Sequence, residues 1–73
     1  MTRDFPFNPL FAGITFKNNE LTLLLKKKTG IQVRKYIGVP AEIGSKMFYL
    51  NQPKEIMSYY STKIKNQFKV IVK

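Results

Sequence analysis

Alternation dominates the first half of the chain. Ile14 and Phe16 alternate with Thr15 and Lys17, and Leu21, Leu23 and Leu25 alternate with Thr22, Leu24 and Lys26. Side chains switch face at every residue of a strand, so a period of two marks half-buried strands. Ile31, Val33 and Ile37 carry the pattern into a third segment, interrupted by Lys35. Strands are therefore predicted over 14–17, 20–28 and 31–37. Asn18-Asn19 and Thr29-Gly30 supply the turns between them, because Asn and Gly accept positive φ. The three segments are expected to form an antiparallel meander with Ile14, Phe16, the three leucines, Ile31, Val33 and Ile37 inside. The outer face would then carry Thr15, Lys17, Thr22, Leu24, Lys26, Lys28, Gln32, Arg34 and Tyr36.

The period changes after Ile37. Val39 precedes a proline and is pushed out of the helical region. Pro40 suits the first position of a helix, where its missing N–H costs nothing. Gly38 can take φ > 0 without penalty. Ile43, Met47 and Leu50 then recur at helical spacing, which predicts a helix over 41–50. Gly44 weakens it by about 1 kcal/mol relative to alanine. Asn51-Gln52-Pro53 breaks the chain and restarts it, and Ile56, Tyr60 and Ile64 form the stripe of a second helix that ends at Asn66-Gln67. Phe68, Val70 and Val72 alternate with Lys69, Ile71 and Lys73 as a last strand.

Helices on one face of an antiparallel sheet define the predicted class. It is α+β, a small β-meander of three to four strands with two short helices packed on one face. Met47, Phe48, Tyr49, Met57, Tyr59 and Tyr60 are expected in the core of the helix layer. Residues 1–13 read as an aromatic, proline-bearing arm, and residues 14–73 as one domain. The arm holds Phe5, Pro6, Phe7, Pro9, Leu10 and Phe11. Its aromatics are expected to cover one end of the core, the alternative being a docking segment for a partner or a second copy.

Seventy-three residues with 44% hydrophobic content suit one small folded domain. Domains of this size often gain stability by assembling, so a homo-oligomer is one possible state. With no cysteine there is neither a disulfide framework nor a thiolate metal site. No apolar run approaches a membrane span. Asp4 and two prolines stand where a signal peptide needs an apolar run. These features fit a cytoplasmic protein, in the host cytoplasm if viral.

Charge narrows the partner. Thirteen Lys and Arg against four Asp and Glu give +9, which favours polyanions. The candidate site is Lys26, Lys27 and Lys28 with Arg34 and Lys35 across the hairpin, joined by Lys69. Lysines neutralise phosphates, arginine grips one with a fork of donors, and Tyr36 on the same face would stack on a base. The alternative is a solvated face whose lysines guard the sheet against edge pairing. Catalysis has little to work with. The chain has no histidine and no cysteine, and its four glycines are isolated. Glu42 and Glu55 each follow a helix-starting proline by two residues, where a carboxylate favours the positive helix end. No enzyme, cofactor or metal is expected.

Several of these positions together resemble the KTSC domain, a small module named for a C-terminal extension of lysyl-tRNA synthetase. Its pattern is a hairpin ending in an aromatic, a Gly/Asn-Val-Pro turn and a Glu-Ile/Val. A Tyr-Phe pair follows, then Ile-Lys and an aromatic four residues past that Ile. Tyr36, Gly38-Val39-Pro40, Glu42-Ile43, Tyr59-Tyr60, Ile64-Lys65 and Phe68 correspond in order. The similarity spans roughly residues 14–68. The chain departs from the pattern before the Tyr-Phe pair, where Glu55 and Met57 stand in place of a Ser and a Gly. The resemblance implies a non-enzymatic module, found alone in bacterial and phage proteins, with nucleic-acid binding suggested by its namesake. The expected function is nucleic-acid binding, RNA foremost, through the basic sheet face. The alternative is a phage-encoded inhibitor or accessory factor that docks on an acidic host protein.

Overall fold

The structure, a computed structural model, describes residues 1–5 and 8–72. Expectations for Pro6, Phe7 and Lys73 lie outside the described residues. The fold is α+β, a five-stranded antiparallel sheet with two short helices packed against it. The strands are β1 (Thr2–Asp4), β2 (Phe11–Lys17), β3 (Glu20–Lys27), β4 (Gly30–Ile37) and β5 (Lys69–Val72), and their order in the sheet is their order in the chain. Between β4 and β5 come α1 (Ala41–Lys46), α2 (Pro53–Tyr59) and a π-helical turn, Tyr60–Ile64.

The arm supplies more of the sheet than alternation predicts. β1 pairs Arg3 with Ile14, and β2 begins at Phe11. A bulge between Phe11 and Gly13 lets both Phe11 and Ile14 face the core, although they are an odd number of residues apart. That break in parity hides the start of the strand from a period-two reading. Asn8 fixes the entry by accepting bonds from the backbone N–H groups of Leu10 and Phe11 at 2.8 and 2.9 Å. Phe5 and Phe11 are buried, so the described aromatics of the arm belong to the core.

The expected faces of β4 are reversed. Leu21 pairs with Tyr36, Leu23 with Arg34 and Leu25 with Gln32. Paired residues share a face, so Gln32, Arg34 and Tyr36 point toward the helices together with the leucines. Val33 pairs with Leu24, Lys35 with Thr22 and Ile37 with Glu20, all on the other face. The cause is the turn. Lys27 pairs with Gly30 across Lys28-Thr29, which joins odd-numbered positions of β3 to even-numbered positions of β4.

The other turns follow local chemistry. Asn18 and Asn19 take φ 52° and 61° between β2 and β3, and Gly38 takes φ 75° after β4. The two turns are bonded to each other: Val39 N–H donates to the Asn19 carbonyl at 2.8 Å, and the Asn19 amide donates to the Val39 carbonyl at 3.1 Å. Pro40 caps α1 in an extended conformation and accepts from Ile43 and Gly44. α1 is shorter than predicted. Arg3 draws the carbonyls of Phe48 and Leu50 to its Nη1 at 2.8 and 2.7 Å, so that stretch leaves the helix. Pro53 opens α2 as expected. The π turn closes with Lys65 N–H on the Tyr60 carbonyl at 2.8 Å, and Asn66, at φ 65°, turns the chain toward β5.

The core lies between the sheet and the helices. Ile56, Tyr60 and Ile64 are buried as one stripe against Phe11, Ile14, Leu21, Leu23 and Leu25. Gly44 brings α1 close to the sheet: a Cβ there would run into the Phe16 ring. Tyr59 ties the helices together by donating to the Ile43 carbonyl at 2.8 Å, and burial pushes its hydroxyl pKa up. Met47 is buried as expected, but Tyr49 and Met57 are exposed.

Candidate functional site

The sheet has one covered and one uncovered face. Cross-strand rows on the uncovered face run Thr2–Thr15–Thr22–Lys35–Ile71, Asp4–Gly13–Leu24–Val33 and Lys17–Glu20–Ile37–Lys69. Leu24, Val33 and Ile37 are half-buried by their neighbours, while Ile31 and Ile71 are 55% and 42% exposed. Lys17, Lys35 and Lys69 lie among them. The result is a face on which aliphatic side chains mingle with lysines and with the carboxylates of Asp4 and Glu20, with no aromatic side chain among its described residues.

The structure divides the predicted site residues between several places. Lys27 and Lys28 are exposed where β3 turns into β4. Lys26 is half-buried, and its Nζ donates to the Asn8 carbonyl at 2.7 Å. Lys35 pairs with Glu20 at 3.6 Å, a half-exposed contact worth little. Lys69 is exposed on the uncovered face beside Ile37. Arg34 and Tyr36 belong to the covered face, which corrects their expected place beside the lysines.

Tyr36 is only 2% exposed and offers no stacking surface. Its hydroxyl shares a 2.7 Å hydrogen bond with that of Tyr60, whose ring meets the Phe11 ring edge to face at 5.3 Å. Burial, then the bond to Tyr60, pushes the Tyr36 pKa up to about 12. Arg34 donates from Nη1 to the Tyr60 hydroxyl at 3.1 Å and from Nε to Gln32 Oε1 at 3.0 Å. Partial burial opposes its charge, but the two tyrosine hydroxyls outweigh that and raise its pKa. These groups join β4 to the π turn. Of the positions that resemble KTSC, Tyr36, Val39, Tyr60 and Ile64 are buried, while Gly38, Glu42 and Lys65 are exposed.

Among the described residues, no group of three or more His, Cys, Asp or Glu is placed to hold a metal ion. Among them, too, no helix is long and apolar enough to cross a membrane. The chain matches no family model and none of the curated proteins with which it was compared.

Proposed function

We propose that the chain is a non-enzymatic docking module whose uncovered sheet face receives an acidic partner protein. The observation that carries this reading is the face itself, on which Leu24, Val33, Ile37 and Ile71 are interspersed with Lys17, Lys35 and Lys69. The aliphatic side chains gain from apolar burial, while the lysines among them steer an acidic surface and set its register. The overall charge of +9 extends that attraction beyond the contact area.

The reading differs from RNA binding in what the face lacks. A single strand is held by stacking as well as by charge. The one tyrosine that the alternation offered for stacking lies in the core, bonded to Tyr60. Lys27 and Lys28 can still attract phosphates, and that makes RNA the competing outcome.

The test is a pair of NMR titrations of the full chain. One uses a synthetic peptide alternating glutamate with leucine, the other a single-stranded RNA of mixed sequence. The expected result is saturable shifts at Leu24, Val33, Lys35, Ile37, Lys69 and Ile71 with the peptide, lost in Ile71→Asp. If RNA binds more tightly and shifts Lys27 and Lys28, nucleic-acid binding replaces this reading. If neither ligand shifts the face, the docking role falls.

A further inference from the structure

β5 ends the sheet on one side. It pairs only with β4, and all four of its residues are exposed. Edge strands are commonly guarded by a proline, a bulge or a row of charges. β5 has no proline, runs in unbroken register with β4 and carries a single charge, Lys69 at its start.

The ladder fixes which backbone groups point outward. Lys27 and Gly30 close a two-residue turn, and such a closing pair exchanges both of its N–H and C=O bonds. Gly30, Gln32, Arg34 and Tyr36 therefore bond toward β3, and Lys35 and Ile37 toward β5. Lys35 stands opposite Ile71, and Ile37 opposite Lys69. Ile71 and Lys69 thus direct their backbone groups to β4, while Val70 and Val72 turn theirs outward. Neither valine bonds to a loop or turn among the described residues. The outer edge presents two N–H and two C=O groups at strand spacing.

Side chains define what fits there. Lys69 and Ile71 lie on the uncovered face, and Val70 and Val72 on the other. Lys69 makes no ion pair among the described residues. Glu20 shares its cross-strand row but lies beyond Ile37 and meets Lys35 at 3.6 Å. Asp4 is on β1 at the far edge, and Glu42 and Glu55 stand in the first turns of α1 and α2. A second copy would set +9 against +9. A nucleic-acid strand has no main-chain amides with which to continue the ladder. An extended acidic segment of a protein supplies those bonds, and its carboxylate complements Lys69.

We infer that β5 receives an extended acidic segment of the partner protein as a sixth strand. The segment runs antiparallel, the stronger pairing and the one used throughout this sheet. Two of its residues exchange backbone bonds with Val70 and Val72. The residue between them sets an aliphatic side chain against Ile71, and a carboxylate two positions further on meets Lys69. The acidic character of the segment rests on the docking role proposed above.

The experiment is an NMR titration of the full chain with the peptide acetyl-Glu-Thr-Ile-Thr-Glu-amide. Saturable shifts are expected at Lys69 and Ile71, with slowed hydrogen exchange at the Val70 and Val72 amides. N-methylation of both threonines removes the donors that face β5 and should weaken binding at least tenfold. N-methylation of the isoleucine, whose N–H points away from β5, should leave binding within about twofold. Val72→Pro removes an outward donor without touching the pairing of Ile71 with Lys35, and should weaken the peptide at least tenfold. Should that variant fail to fold, Lys69→Glu should weaken the peptide severalfold and favour one with lysines in place of its glutamates. No saturable shift with the unmodified peptide overturns the inference. So does concentration-dependent protection of Val70 and Val72 without peptide, which makes a second copy the occupant. If both methylated peptides bind equally and shift Leu24 and Val33 without protecting the valines, strand addition falls and docking on the face stands. If the valines are protected while Leu24 and Val33 stay unshifted, strand addition stands and docking on the face falls.

Discussion

The two faces of the sheet are built from similar materials used in opposite ways. The covered face buries Phe11, Ile14 and three leucines, yet it also takes in Gln32, Arg34 and Tyr36. The uncovered face keeps Val33, Ile37 and Ile71, which are more hydrophobic than the Gln32, Arg34 and Tyr36 turned inward. Side-chain hydrophobicity alone would reverse β4. The hairpin forbids it, because slipping β4 by one residue would also break its pairing with the leucines of β3. The polar residues carried inside are accommodated by Tyr60, which meets Tyr36 and Arg34 with its hydroxyl and Phe11 with its ring.

The contrast can be tested from its strongest side down. Ile64→Ala empties a fully buried site under the helix layer and should cost about 2–5 kcal/mol in urea unfolding. A loss below about half a kcal/mol would mean the helices do not cover this face. The tyrosine pair comes next. With its folded pKa raised to about 12 from an ordinary 10, Tyr36 keeps its proton in the folded state after the unfolded chain has lost it. Its contribution is fully present below pH 10 and is lost as pH rises toward 12. Tyr36→Phe should flatten stability against pH in that window. An unchanged profile would put the tyrosine in contact with water.

Gly44→Ala separates helix propensity from packing. Propensity alone predicts a gain of about 1 kcal/mol. The clash of that Cβ with the Phe16 ring predicts instead a net loss of about 1–3 kcal/mol, seen as a lower unfolding midpoint. Stabilisation would show that α1 stands further from the sheet. The smallest effect belongs to the uncovered face. Ile71→Thr should change stability by no more than about 0.5 kcal/mol, while weakening any ligand that uses the aliphatic side chains of this face. A large loss would reveal a layer packed on that face.

Much of this architecture is legible in the chain. The leucines of β3, the Asn18-Asn19 turn, the Gly38-Val39-Pro40 corner and the stripe Ile56, Tyr60, Ile64 all announce themselves through local chemistry. The face of β4 does not, when each strand is read for its own pattern. It becomes legible once turn length is counted, since any two-residue turn after Leu21, Leu23 and Leu25 brings Gln32, Arg34 and Tyr36 to their side. That arithmetic removes the stacking tyrosine from the predicted site. The bulge before Ile14 breaks parity and conceals both the start of β2 and its pairing with β1. The role of Arg3 depends on carbonyls brought together by folding, and no spacing in the sequence signals it.

The sheet ends differently on its two sides, and this sets how far the molecule can polymerise. β1 offers only three residues to a neighbour, and one of them carries the charge of Asp4. β5 offers Val70, Ile71 and Val72, each more than 40% exposed, with no proline among them and pairing on its β4 side alone. Strand-to-strand growth into a fibre needs two adhesive edges per copy, so that each added chain presents a fresh one. A chain with one such edge can only meet another of its kind head-on, and the two then close each other off. Association through the sheet would then stop at a pair.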